Sequence, residues 1–531
     1  MFRRKEIFHL FAVTVLLLIG ISIGLAGNTI QGVISPNARS GHPDNVVSPG
    51  FTLSMIAQGS DPLENPSGVI TKFGYLNDFP PQTIEPTKTE PDINTYIIFD
   101  HNPGGPVSGM DYGRHFVFQG HENANDLAYV TRINLDITDP AHRITLLTPV
   151  DATGKTGFDR IDGSCWNPHT KTLLFAQENG NLGGVIEING DFGTPARTLY
   201  GILGRGGFEG IHPDDQGNLL IFEDVGGTSV NVNPNDLTSP KLARNPNSFV
   251  YRFVPNNPTD LSAGGKLQAL QVKIDGKPVN FVPVDSQHPF GDVFSENQLN
   301  LHTPGTSYPV KWVTVHDTDV QGTASFDANA AAKAAGATPF KRPENGQFQP
   351  GSGFQTFFFD ATGDTNEISA DQPDLAARGA WGSIFRVDLS SNRDKGKISI
   401  VVLGDVNHAS FDNLAFLDSQ TLLATEDRGD TLHKQLNRLD SIWAFDISKK
   451  HPNNARLVAL GRDVASEIDA AFLDASTPGF QNDGDNEPTG LIVSDGAAGV
   501  DGLIGTVLNP ANTRIFFTQQ HGLNVLWEVI P

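Results

Sequence analysis

Cys165 and a set of acidic residues at recurring positions are the groups in this 531-residue chain whose types could do chemistry. A lone cysteine has no partner for an intramolecular disulfide. Cys165 is therefore either a small buried residue or a thiolate with a task, such as holding a metal. Glu178 follows it on the next strand, Glu209 opens a further module, and Glu223-Asp224 close that module's second strand. Arg342-Pro343-Glu344 precede another module, and Glu122 and Glu487 take comparable places. Carboxylates alone suit hard cations such as calcium, and a thiolate beside carboxylates suits iron. Each acid taken singly also reads as a solvated turn residue. Recurrence at one place in successive modules is what sets them apart.

Other chemistries fail on spacing. Thr153-Gly154-Lys155-Thr156 imitates the end of a phosphate-binding loop, but Pro149 stands where its first glycine belongs. His121-Glu122 lacks the second histidine of a zinc-protease helix, no G-x-S-x-G elbow occurs, and nothing supports a Rossmann dinucleotide site.

The elements that must position these residues are short strands. A β-rich run ending in an acidic or amide cluster recurs, each time followed by a second apolar strand. The runs are His115–Glu122, Thr172–Glu178, Asn218–Glu223, Gln355–Asp360, Thr421–Glu426 and Arg514–Gln520. Upstream polar openers stand at Asp162-Gly163, Glu209-Gly210, Glu344-Asn345-Gly346, Asp412-Asn413 and Glu487-Pro488-Thr489-Gly490. Six such modules predict an all-β, six-bladed β-propeller, with an array of sandwich-like hairpins as the alternative. Gly 55 and Pro 35 make up about 17% of the chain, above the usual ~12%, as many turns require. A propeller would bring the acidic strand ends together around its central channel. Residues 27–110 read as a tail and wrapping segment, and 111–531 as the propeller. Residues 255–340 form a small α/β insertion with a hairpin at Asp275-Gly276 and a helix near Ala328–Ala335.

A net charge of −23 repels nucleic acid and anionic membranes, so neither is an expected partner. It would also repel a phosphate ester unless bound cations reverse the sign locally. The start carries Arg3, Arg4 and Lys5, then an apolar run from Leu10 to Ala26 with a small-x-small site at Gly24-Leu25-Ala26. That is a secretory signal pattern over 1–26, cleaved ahead of Gly27, and it predicts a periplasmic or extracellular protein with no membrane span after cleavage. The run is also long enough for an uncleaved anchor. Glu6 favours the general export route over the twin-arginine one. A monomer is expected.

Several segments, in order, resemble the PhoX alkaline phosphatases of bacteria. Phe73–Phe79, Gly120-His121-Glu122-Asn123, Cys165 to Glu178, Gly207-Phe208-Glu209, Phe249–Val254, Arg342-Pro343-Glu344, and Glu487-Pro488-Thr489-Gly490 with Phe517–Gly522 carry the resemblance. It implies a six-bladed propeller with iron and calcium in the channel mouth and a small phosphorylated substrate. By that resemblance Cys165, Glu209 and Glu344 would bind iron, Glu178 would bind calcium, and Arg342 would meet the phosphate. Glu122, Asp224 and Glu487 are further expected metal ligands. The chain departs from the family at Gln177, where an acid is expected, at Phe208 in place of histidine, and at Asn345 in place of tryptophan. A calcium-dependent propeller hydrolase of lactonase or phytase type, or a non-catalytic binding propeller, are the alternatives.

Overall fold

The computed structural model describes residues 24–25, 28–33, 41–74, 89–233, 242–364, 372–450, 452–463, 465–466 and 486–531. The basic start, nearly all of the apolar run, Ala26 and most of the Phe73–Phe79 element lie outside the described residues. Among the described residues no helix is long and apolar enough to cross a membrane.

Six antiparallel units of four strands account for the repeat. The first blade comprises Glu90–Ile98, His115–Glu122, Tyr129–Asn134 and Ile144–Leu146. The second comprises Ile161–Asn167, Thr172–Gln177, Gly184–Ile188 and Arg197–Thr198. Phe208–Pro213, Leu219–Glu223, Val250–Pro255 and Gly265–Ile274 form the third. Gly346–Phe348, Thr356–Ala361, Ser383–Leu389 and Lys395–Leu403 form the fourth. The fifth runs through Phe411–Phe416, Thr421–Glu426, Ser441–Asp446 and Asn453–Ala459. The sixth is Glu487–Ser494, Arg514–Gln520 and Val525–Ile530, completed by Thr52–Ala57. The first strand of each blade touches the first strand of the next, and that of the sixth touches that of the first, so the ring closes.

Closure uses the two ends of the chain. Thr52–Ala57 pairs with the last strand, Leu53 facing Val529, and Val46–Val47 adds an edge strand to the fifth blade. The region expected to be a tail and wrapping segment thus supplies three strands of the ring, including the whole inner strand Glu90–Ile98. Its interrupted polar sequence hid them. The insertion is likewise integrated: Gly265–Ile274 is the outer strand of the third blade, and Tyr308–Asp317 bridges it to the fourth. Within it the Asp275-Gly276 turn has both residues at positive φ (49° and 77°). The helix Ala328–Ala334 is capped by Asp327, which accepts from the Ala330 amide.

Strand alternation builds the core between blades. Phe357 and Phe359 pack with Phe222 and Phe385 between the third and fourth blades, while Phe358 faces Phe411 and Phe416 of the fifth. Around the axis the inner strands approach closely. A Cβ on Gly163 would lie 1.7 Å from the Glu209 carbonyl oxygen, so only glycine permits that contact.

Candidate metal centre at the channel mouth

The inner strands share a local irregularity. Their pairing with the second strand slips between Pro91 and Asn94, between Phe208 and Ile211, between Phe411 and Leu414, and between Thr489 and Ile492. In the second blade Ile161 pairs with Gln177 and Ser164 with Phe175, so the slip falls on Asp162-Gly163. Such bulges re-aim a side chain out of the alternating pattern. Asp92, Asp162, Glu209 and Asp412 all sit in these slips. Four blades therefore point an acid toward the channel, and Glu122, Glu178 and Asp224 arrive from the ends of the second strands.

Two groups of carboxylates result. Oxygens of Glu209, Glu344 and Asp412 lie within 4.8 Å of one another, and so do those of Asp92, Glu122 and Asp162. Glu178 feels members of both, Glu122 and Glu344, as well as Asp224. Burial, then mutual repulsion, pushes the acids of Asp162, Glu178, Glu209 and Asp412 well above the usual carboxylate range. Burial likewise raises Glu344 to about 8, Glu122 to about 7 and Asp92 to about 6. The neighbouring Glu344 carboxyl adds to the rise at Glu209. Asp162, 3% exposed, has an Oδ1 with no hydrogen-bond partner. A buried oxygen without a partner, among acids that crowding forces to hold protons, is what a hard cation would satisfy.

Arg342 closes one side of this mouth. Its φ of 58° turns the chain sharply before Glu344. Nε donates to both oxygens of Asp224 at 3.0 Å, Nη2 to Asp224 Oδ2 at 2.7 Å, and Nη2 lies 3.0 Å from Glu344 Oε1. Burial works against its charge, but Asp224 and then Glu344 outweigh it and hold the guanidinium protonated. Nη1 has no acceptor among the described residues. The Thr362 hydroxyl lies within hydrogen-bond reach of both Glu344 and the Phe411 carbonyl, tying the fourth blade to the fifth. On the sixth blade His521 donates from Nε2 to Glu487 at 2.9 Å, with Nδ1 3.2 Å from Glu90 but off hydrogen-bond geometry. Although burial lowers its pKa, these two acids raise it well above the usual histidine value.

Of the residues expected from sequence, the structure brings together Glu209, Glu344, Glu122, Glu178, Asp224 and Arg342. Asp224 is committed to Arg342, and Glu487 to His521. Cys165 is not brought to the acids. It packs 4% exposed with Leu174, Ala176, Phe208 and Ile211 between the second and third blades, and joins no cluster of ligating groups among the described residues. Burial pushes its thiol pKa far up, so it stays protonated. The third donor beside Glu209 and Glu344 is Asp412. The departures from the family motifs are absorbed structurally. Gln177 accepts from Tyr200 and donates to the Asp159 carbonyl, Phe208 fills the apolar cluster around Cys165, and Asn345 Oδ1 accepts from the Gly346 amide and pairs with His212. Asp162 and Asp412 had been visible as strand openers, without a ligand role. Asp92 lay in the segment taken for a wrapping tail and carried no such signal.

Fold and mouth define a class: a six-bladed propeller whose channel is ringed by acids and flanked by an arginine. A family model described as alkaline phosphatase PhoX matches residues 243–463, a stretch that includes Arg342, Glu344 and Asp412. Among solved structures, Pseudomonas fluorescens PhoX in complex with vanadate, a transition state analogue, is similar at 12% identity and a TM-score of 0.55. That match covers 93% of this chain and 97% of that one. The PQQ-bound aldose sugar dehydrogenase of Streptomyces coelicolor matches at 10% identity and a TM-score of 0.34, covering 91% of this chain and 99% of that one. No curated protein matches the sequence. The resemblance to PhoX is borne out by the family match and by the fold, as is the all-β propeller architecture. The family match supports an alkaline phosphatase-like function.

Proposed function

We propose that this chain is an exported, metal-dependent hydrolase of phosphate monoesters that works at the mouth of its propeller channel. The observation that carries the reading is Arg342, fixed by Asp224 against the Glu209–Glu344–Asp412 group with Nη1 unclaimed. An acid-ringed mouth alone would repel a phosphate. One with cation sites and a fixed guanidinium can bind it.

The donor chemistry fits hard, oxygen-seeking cations. Glu209, Glu344 and Asp412 would hold one, and Asp92, Glu122 and Asp162 another, with Glu178 under the charge of both; calcium suits all of these ligands. Iron held through Cys165 does not fit, because that side chain packs in the apolar cluster between the second and third blades and joins neither group of acids. Bound cations would neutralise the acids, bind phosphoryl oxygens and lower the pKa of attacking water. The chain's own residues do the rest. Arg342 orients the phosphoryl group through Nη1 and offsets charge gathering on its oxygens. Asp224 fixes the guanidinium plane, which a bidentate pair does better than a single contact. Thr362 holds Glu344 in place beneath it.

The calcium-loaded chain should hydrolyse p-nitrophenyl phosphate, lose that activity in EDTA, and be inhibited by vanadate. Arg342→Gln should cost on the order of 10²-fold or more in kcat/KM. A folded, calcium-loaded chain that neither hydrolyses the ester nor binds inorganic phosphate would overturn the reading. Export is tested by sequencing the N-terminus of secreted protein, expected to start near Gly27.

A further inference from the structure

We infer that Arg244 is a second phosphate-binding residue, and the one that favours dianionic monoesters over monoanionic diesters; this rests on the phosphatase reading above. After Asp224 the chain passes through Gly226 and Gly227 into a short hairpin, Ser229–Asn231 paired with Leu242–Arg244. The hairpin returns Arg244 to the level of the mouth. Its backbone amide donates to Asp364 Oδ1 at 3.0 Å, the same oxygen that takes the buried Lys341 Nζ at 2.9 Å. Its Nη1 rests over Gly226, where an added Cβ would come within 2.5 Å.

The guanidinium of Arg244 makes no hydrogen bond or ion pair with a described residue, although it is partly buried. Other deeply set arginines are all engaged. Arg132 donates to the carbonyls of Gly190 and Gly104, Arg252 to Gln268 and the Arg393 carbonyl, and Arg393 to Asp214 and Asp215. The charges that act on Arg244 are Arg342, which repels it, and Asp224, Asp364 and Glu344, which attract it. Each of those acids already serves another cation: Asp224 and Glu344 serve Arg342, and Asp364 serves Lys341. A partly buried, uncommitted guanidinium beside a second one is unfavourable unless an anion joins them. A phosphate facing Nη1 of Arg342 is such an anion. Arg342 is already shared by two carboxylates, so the guanidinium left to meet an incoming anion on this side of the mouth is that of Arg244. A dianion gains more from that charge than a monoanion does.

The test uses the full calcium-loaded protein. Binding of inorganic phosphate is measured by calorimetry, and kcat/KM is measured for p-nitrophenyl phosphate and bis(p-nitrophenyl) phosphate. Arg244→Gln should weaken phosphate binding and raise the monoester KM by about 10- to 100-fold, and change the diester by less than about 3-fold. Arg244→Lys should recover part of the monoester preference. Gly226→Ala, which displaces the guanidinium without removing it, should reproduce the loss in a protein that keeps its own arginine. If Arg244→Gln binds phosphate like wild type, or loses monoester and diester alike, the inference is wrong while the phosphatase reading stands. A wild type that binds no phosphate and cleaves neither ester removes both.

Discussion

Glu223→Gln isolates one buried acid beneath the mouth. Glu223 is fully buried, one residue before Asp224, and its Oε2 accepts from the Phe249 amide at 3.1 Å, the Tyr251 hydroxyl at 3.0 Å and Asn329 Nδ2 at 2.9 Å. Oε1 has no partner. Burial raises its carboxyl from 4.5 to about 8, the three donors opposing it only in part. The sign follows from linkage: a raised folded pKa means that the folded state holds its proton longer than the unfolded chain. Stability is then complete below about pH 4.5 and is lost as pH rises through about 8. At about 1.4 kcal/mol per unit, the whole loss is roughly 5 kcal/mol, of which about 4 falls between pH 5 and pH 9. Glutamine has the same shape and no titration. Its amide leaves one buried group without a partner, as the protonated acid does, so the two proteins should be of similar stability near pH 5. The variant should gain on wild type by about 4 kcal/mol by pH 9. Urea unfolding of both proteins in EDTA at pH 5, 7 and 9 measures this, because the mouth acids titrate in both and cancel in the difference. A difference that stays constant across that range would refute the reasoning.

Further outcomes follow from the same geometry. Cys165→Ser should cost about 1–2 kcal/mol for a hydroxyl in an apolar cluster and leave metal content unchanged, as read by urea melts and elemental analysis. Asp412→Asn and Asp162→Asn should each remove calcium from one group and spare the other, lowering stoichiometry by different sites. Calcium should raise Tm more at pH 8 than at pH 5, because Glu344 at about 8 and Glu122 at about 7 hold protons that a cation must displace; scanning fluorimetry across pH reads this directly.

The ring was legible in sequence because its second and third strands are apolar and periodic. Thr172–Gln177 and Thr421–Glu426 are buried along nearly their whole length, and both stand out from the turns around them. The inner strands were less legible. Gly346–Phe348 is only three residues, and Glu90–Ile98 begins with Glu-Pro-Asp and carries two further polar residues. Polar residues belong there because the strand lines a channel. The acids at the blade ends were legible as a recurring cluster, and Glu209 and Glu344, expected at one centre, lie in one group of carboxylates. What spacing could not reveal was the bulge. A one-residue slip decides which side chain of Asp162-Gly163-Ser164-Cys165 turns to the channel, and it turns Asp162 there while Cys165 enters the core.

That slip also explains how an acidic chain could serve an anionic substrate. The bulged strands concentrate carboxylates where a low-dielectric wall makes their repulsion costly, and the folded protein relieves it by holding protons or by holding cations. Protons satisfy the acids but leave nothing for a phosphate to bind. Cations satisfy them and leave positive charge facing the opening. Arg342 must remain charged in both states, and two acids ensure it. The same two acids are shared with it, and on the inference drawn above Arg244, whose guanidinium has no hydrogen bond or ion pair among the described residues, would be the group that draws in the dianion. On the proposed reading the mouth is an acid ring that bound metal would convert into an anion site, with Arg342 already fixed on one side of it by Asp224.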